Sequence, residues 1–146
     1  GGSPLNQPEH AGAFTGCARA GLPAPEASVQ TLHGAGHLTA LFGSRFVALY
    51  FSNQADVPAT LQQLAGTGRA GVAALCLVRV AAQGDCGANT VVDALGQAWQ
   101  RYDATEGTLY LIRPDGYVMG CWREAASKPA RIAAALARTL IQENGL

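Results

Sequence analysis

Four cysteines, three histidines and scattered carboxylates are the residues of this chain whose types could carry chemistry, and their spacing decides what chemistry each could do. Cys17, Cys76, Cys86 and Cys121 contain no pair two residues apart, the spacing of a dithiol redox site. Cys76 and Cys121 lie in apolar runs, where a cysteine behaves as a small hydrophobe. Cys17 and Cys86 lie in loop-like stretches, and Asp85 beside Cys86 would raise its thiol pKa and blunt its reactivity. The even count allows three disulfide pairings, but a chain with enough apolar residues for a large core has little need of them, so free thiols are expected. His33 and His37 are four apart, a metal-ligand spacing on a helix. Gly34 and Gly36 between them argue against that helix, so exposed loop histidines are expected. Asp93, Asp103 and Glu106 show no pattern beyond a solvated edge. Gly66-Thr67-Gly68-Arg69-Ala70-Gly71 matches the dinucleotide pattern GxGxxG letter for letter. That pattern works only between a strand and a following helix, and here the order is reversed. No catalytic, cofactor-binding or metal-binding residue is therefore assigned from spacing.

The elements that must position these side chains can be read from periodicity. Residues 1–26 are rich in Gly, Pro and Ala and read as a linker or extended arm, with structure expected from Ala27 to the C-terminus. Ser28–His33 alternates weakly, as a short edge strand does, and His37–Gly43 reads as an apolar turn. Arg45–Phe51 is a continuous apolar run of the kind buried on both faces. Asp56 and Pro58 suit the start of a helix carrying Val57, Leu61, Leu64 and Ala65 on one face and stopped by Gly66. Val72–Val80 is a second buried strand, so the helix between the two is a parallel crossover. Thr90–Tyr102 has roughly helical spacing. Thr108–Arg113 and Tyr117–Arg123 flank Pro114-Asp115-Gly116, a hairpin turn. Ser127 and Pro129 open a last helix with Ile132, Ala133, Leu136, Ala137 and Leu140 on one stripe.

The resulting order, β-β-α-β-α-β-β-α, predicts an α/β protein: a thioredoxin-like three-layer fold whose mixed central sheet has helices on both faces. In that fold the reactive cysteine sits between the first central strand and its helix. Here that loop, Ser52-Asn53-Gln54-Ala55-Asp56-Val57-Pro58, has no cysteine. The position of the fold's cis-proline is taken by Glu106-Gly107-Thr108.

Composition narrows the partners. The 146 residues are 49% hydrophobic and only 14% charged, which excludes a disordered polyelectrolyte. Ten basic residues balance ten acidic ones, so there is no positive field for nucleic acid or an anionic membrane. Runs such as Phe46–Phe51 are far below the ~20 residues needed to span a bilayer. No secretory signal is seen, so a cytoplasmic location is expected. The chain begins Gly1-Gly2-Ser3-Pro4 with no initiator Met, and Gly1-Gly2 reads as a cloning scar, an expectation of a piece cut from a larger protein.

The segment Leu109-Tyr110-Leu111-Ile112-Arg113-Pro114-Asp115-Gly116-Tyr117-Val118, closing with Cys121-Trp122-Arg123, resembles the C-terminal hairpin of FAD-dependent aromatic-ring hydroxylases of the phenol hydroxylase and 3-(3-hydroxyphenyl)propionate hydroxylase group. Ser3-Pro4-Leu5-Asn6 is similar to that family's entry to its linker, and Gly21–Ala27 to its Gly-x-x-Ala-Pro-Asp-Ala element, with Glu26 in place of Asp. Leu38–Gly43 followed by Phe46–Phe51 completes a set in the family's order, over about Ser3 to Gln142. The resemblance implies a thioredoxin-like C-terminal domain of a flavoprotein monooxygenase acting on phenolic or aromatic substrates. It implies FAD and NAD(P)H for the parent, but none in this chain: the family's fingerprint, Asp-Gly and Gly-Asp elements are not carried here in context, and Gly84-Asp85 lacks the residues that should follow. It implies N-terminal FAD and substrate domains as partners, with docking, structural or dimerisation roles and no catalytic residue to carry over. Two alternatives come from the residues: a stand-alone thioredoxin- or peroxiredoxin-like thiol oxidoreductase using Cys86 or Cys121, and a homodimerising adaptor anchored by Tyr117 and Trp122 on the hairpin, although alternate hairpin residues normally face the core and Trp122 is expected to pack against the C-terminal helix.

Overall fold

The computed structural model describes residues 21–43, 45–66 and 75–143. Seven strands form one sheet: β1 (Ser28–Thr31), β2 (Gly34–His37), β3 (Phe46–Phe51), β4 (Leu75–Ala81), β5 (Thr90–Val92), β6 (Thr108–Ile112) and β7 (Val118–Trp122). The helices are α1 (Ala59–Gly66), α2 (Gln97–Arg101) and α3 (Pro129–Glu143), with single 3-10 turns at Leu38–Leu41 and Ala125–Ser127. The strand order is β2-β1-β5-β4-β3-β6-β7. β3, β4 and β5 run parallel, and β6, β7, β1 and β2 are antiparallel to their neighbours. This is the mixed sheet of the thioredoxin-like fold.

Central β3 explains the three layers. All six of its residues are buried, and successive side chains point to opposite faces. Phe46, Ala48 and Tyr50 join Leu61 of α1, Ile132 and Leu136 of α3, and Leu109, Leu111 and Trp122. Val47, Leu49 and Phe51 join Leu38, Ala98, Tyr102, Tyr110 and Ile112 on the other face. Phe51, Trp99, Tyr102 and Tyr110 pack there with ring centroids 4.9–6.2 Å apart, mostly edge to face.

Several elements differ from the sequence reading. Gly34–His37 is a strand, paired with β1 across a tight turn, because two glycines on an edge meet no packing that would exclude them. The expected helix Thr90–Tyr102 divides. Thr90–Val92, β-branched throughout, adds a parallel strand beside β4, and only Gln97–Arg101 is helical after Gly96 adopts a left-handed φ of 74°. Helix α1 starts at Ala59, and the Pro58 carbonyl accepts the Leu61 and Gln62 amides. Ser127 does not cap α3; its hydroxyl bonds back to the Glu124 carbonyl within the preceding turn. Ala133 of the expected stripe is exposed. Residues 72–74 of the expected second strand, and residues 67–71 of the glycine pattern, lie outside the described residues. Helix α1 before that pattern and strand β4 after it keep the order opposite to a dinucleotide site.

Structure also begins before Ala27. Residues 21–24 lie antiparallel to the β6–β7 turn and the first residue of β7: the Gly21 amide donates to the Val118 carbonyl (2.8 Å), Val118 to Leu22 (2.9 Å), and Ala24 to Gly116 (2.8 Å). Pro23 pairs with Tyr117. The Tyr102 hydroxyl donates to the Pro25 carbonyl at 2.6 Å, and Arg101 donates to the Glu26 carbonyl at 2.8 Å. Glu26 in turn accepts from the Ala27 and Thr39 amides and the Thr39 hydroxyl. Burial pushes its carboxyl up, but these bonds and nearby His37 outweigh burial and hold it below the usual range.

Candidate functional site at the end of the central strand

In a parallel α/β sheet, ligands and reactive groups gather beyond the carboxyl ends of the strands. Here that place is the end of β3, the loop 52–58 and the turn before β6. Ser52, only 1% exposed, donates its amide to the Val80 carbonyl at 3.1 Å. Its hydroxyl bonds Oε2 of Glu106 and accepts the Gln54 amide at 3.0 Å. Oε1 of Glu106 accepts the Asn53 amide at 2.9 Å. The Asn53 side-chain oxygen accepts the Ala82 amide at 2.7 Å, and Arg79 donates to the Ser52 carbonyl at 3.0 Å. Apart from the Gln54 amide, each donor reaches an acceptor from a different element, so the cluster cross-links the loops after β3 and β4 to the turn before β6.

Burial first, then the charge of Glu106, raises the pKa of the neighbouring Tyr50 phenol above 10.0, against a hydrogen bond with Ser52. On the far side of the turn, Arg123 donates to the hydroxyls of Thr105 (3.1 Å) and Thr108 (3.2 Å) and to Asp103 (3.1 Å). Lys128 donates to the Arg123 carbonyl at 2.5 Å. Sequence reasoning missed Glu106, treating it as a solvated acid; it is exposed, but its carboxylate ties down a serine 54 positions earlier. The one available signal was its place just before β6, where the fold usually has its cis-proline.

The remaining sequence candidates are dispersed. His33 and His37 are exposed at opposite ends of the β1–β2 hairpin, and among the described residues no three His, Cys, Asp or Glu groups converge as metal ligands. Asp93 is not a solvated acid: it is 1% exposed, and its Oδ2 accepts the Trp99 amide at the start of α2 (2.9 Å). Cys76 and Cys86 are free and half-buried, and the Cys86 sulfur lies 3.2 Å from the Gln30 carbonyl. Cys121 is buried in β7 and disulfide-bonded. The expectation of free thiols therefore fails at Cys121, since the apolar core that makes disulfides unnecessary does not exclude one.

Trp122 packs in the core against the last helix, as the alternation of the hairpin leads one to expect, and not as an interface anchor. It is 6% exposed and packs with Ile132 and Leu136, over Gly120, where an added Cβ would come within 3.1 Å of its ring. An interface anchor must be exposed, so Tyr117, at 40%, is the one hairpin candidate that stands; the Arg113 guanidinium lies 5.7 Å from its ring centroid. Hydrogen bonding from Arg113, helped by the Tyr117 amide and the Arg113 charge, holds the Asp115 carboxyl of the same turn below its usual value against slight burial.

The cleft between β1, β2 and the loop after β5 does not fit a flavin dinucleotide. It measures about 150 Å³ and is lined by Ser28, Val29, Gln30, His37 and Leu95, among others. Ligand sites usually enclose about 300–1,000 Å³. No lysine or arginine lines it to meet a pyrophosphate.

The aromatic-ring hydroxylase C-terminal family model matches residues 18–142. No protein of curated function matches the chain. Among solved structures, the chain is similar to aklavinone-11 hydroxylase in a ternary complex with FAD and aklavinone: 25% identity, TM-score 0.63, over 82% of this chain and 21% of that one. It is also similar to the flavin-dependent monooxygenase PieE in complex with FAD and substrate, at 18% identity and TM-score 0.69, over 97% of this chain and 23% of that one. The chain thus spans about a fifth of these hydroxylases' length. A 2-Cys peroxiredoxin of Plasmodium vivax shares the fold at 14% identity and TM-score 0.63, over 86% and 84% of the two chains. The matched span takes in every strand and the hairpin that first pointed to it, and this chain belongs to the aromatic-ring hydroxylase C-terminal family.

Proposed function

We propose that this chain is a non-catalytic domain of an FAD- and NAD(P)H-dependent monooxygenase that hydroxylates phenolic or aromatic substrates in the cytoplasm. Its role is structural: it docks on the N-terminal FAD and substrate domains, or on a second subunit, and contributes neither cofactor ligands nor a catalytic residue. The single observation that carries this reading is the loop after β3. Where a redox-active protein of this fold needs a thiolate, this chain has Ser52, with Glu106 and Asn53 consuming the hydrogen-bonding capacity of the loop. A carboxylate there would oppose formation of a neighbouring thiolate.

The test is to titrate the purified chain with FAD while following the flavin spectrum and fluorescence, and to assay peroxide and insulin-disulfide turnover alongside. Unchanged flavin signals and no turnover are expected. Stoichiometric FAD binding would overturn the cofactor-free assignment, and turnover abolished in Cys86→Ser or Cys121→Ser would replace the structural role with thiol chemistry.

A further inference from the structure

The hairpin that first pointed to the family closes with Arg123, a residue that the proposed function does not use. Its guanidinium faces the turn before β6. Nη1 donates to the hydroxyls of Thr105 (3.1 Å) and Thr108 (3.2 Å), and Nη2 donates to Asp103 (3.1 Å). The two threonines are tied to each other, since the Thr105 amide donates to the Thr108 hydroxyl at 3.1 Å and the Thr108 amide to the Thr105 carbonyl at 3.0 Å. Gly107 fastens the turn in two further directions: its amide donates to the Phe51 carbonyl (2.8 Å), and its carbonyl accepts the Ala125 amide (2.9 Å). Between these anchors, Glu106 holds the Ser52 hydroxyl and the Asn53 amide. Two residues that are not glycine take left-handed conformations beside Arg123, its ion-pair partner Asp103 at φ 50° and its chain neighbour Glu124 at φ 51°. L side chains rarely adopt that region, so the surrounding bonds must hold them there.

We propose that Arg123 is a positioning residue: by fastening the turn before β6 it keeps the Glu106 carboxylate on Ser52, so that the junction of β7 with the last helix holds the loop 52–58 closed. Glu106 is exposed and has no burial to fix its rotamer, so the placement of its carboxylate follows from the backbone of the turn. The hold rests on Thr108 more than on Asp103. Thr108 is 1% exposed and meets the guanidinium away from water, whereas the Asp103 side chain is 75% exposed and its pair with Arg123 is screened. Arginine suits the place because its planar fork presents one nitrogen to the hydroxyls and another to the carboxylate, which the single nitrogen of a lysine cannot do. Lys128 donates to the Arg123 carbonyl at 2.5 Å and ties the arginine backbone to the residue just before α3. The inference rests on the closed loop from which the function was read, and its test separates the two.

That test measures amide hydrogen exchange at Asn53 and Gln54, and the phenol titration of Tyr50, in the full 146-residue chain and in three variants, Glu106→Gln, Arg123→Met and Thr105→Ala. Subtracting Tyr50→Phe isolates the Tyr50 absorbance. Glu106→Gln should speed exchange at Asn53 by about tenfold, because a local opening that lost its main bonds is reached more often. Arg123→Met should speed Asn53 and Gln54 to a similar degree, Thr105→Ala should act in the same direction by less, and Glu106→Gln with Arg123→Met should do no more than Glu106→Gln alone. The titration gives a sign that general loosening does not. Deleting a cation with Glu106 still in place raises a nearby phenol's pKa, whereas releasing Glu106 lowers it, and a lowered value is expected in Arg123→Met. A folded Arg123→Met chain with unchanged exchange at both amides, or with an unmoved or raised Tyr50 pKa, would overturn the proposal. So would effects of Arg123→Met and Glu106→Gln that simply add. If Glu106→Gln acts and Arg123→Met does not, the closed loop stands and only the role of Arg123 falls; if neither acts, the closed loop falls with it.

Discussion

The two ends of the β3–β6–β7 part of the sheet are built from different residues and do opposite things. At the carboxyl end of β3, Ser52, Asn53, Glu106 and Arg79 satisfy one another, and the loop that could hold a reactive group is sealed by hydrogen bonds. At the other end, the β6–β7 turn and the 21–24 strap leave Leu22 at 49% and Tyr117 at 40% exposure, with Arg113 over the tyrosine ring. Polar groups turned inward give a plug; an aromatic turned outward beside the incoming chain gives a surface. The difference teaches that in this domain the loop that carries the fold's chemistry is closed by hydrogen bonds, while the hairpin edge keeps an exposed surface.

The sharpest way to break that contrast is inside the hairpin. Trp122→Ala empties a buried site against Ile132 and Leu136 and is expected to destabilise the chain by about 3–5 kcal/mol, read by urea unfolding. Tyr117→Ala, five residues away but outward-facing, should change stability by less than about 0.5 kcal/mol, so equal losses at the two positions would refute the assignment of faces. The plug is intermediate. Glu106→Gln weakens two hydrogen bonds made by a carboxylate, but that carboxylate is on an exposed residue, and a loss of about 1 kcal/mol is expected.

Two pH experiments refine the comparison with smaller effects. Because the Tyr50 pKa is raised in the folded chain, its contribution to stability is intact below about pH 10 and is lost as the pH climbs beyond that value. Removing the neighbouring charge in Glu106→Gln should lower that pKa, visible as earlier phenolate absorbance near 295 nm. The opposite sign applies to Glu26. Its pKa is lowered on folding, so its contribution is present above the ordinary value of 4.5 and fades as the pH falls below it. Glu26→Gln should flatten that acid limb, and an unaltered acid limb would show that the Thr39 and Ala27 bonds contribute nothing to it.

Much of the fold was legible because it is locally encoded. Phe46–Phe51 is apolar at every position and so must be buried on both faces, and Pro114-Asp115-Gly116 sets a turn by backbone geometry, with Gly116 at φ 89°. Thr90–Val92 was misread because three residues carry too little periodicity to separate strand from helix; the vacant edge of β4 decided it. The candidate site was legible only as an absence, the loop 52–58 without cysteine. What fills it depends on a contact between positions 52 and 106, and no local pattern encodes a pair that distant.

By itself, then, the sequence determined the central strand and its crossover helix, the hairpin, the last helix and the absence of a thiol from the loop 52–58, because backbone propensity and side-chain type act within a few residues. Tertiary structure alone decided that Glu106 clamps Ser52 and the Asn53 amide, that Asp93 is buried and that residues 21–24 bond to the β6–β7 turn and the start of β7. Those properties belong to pairs of residues far apart in the chain, and only closure of the sheet brings them within hydrogen-bonding or packing distance.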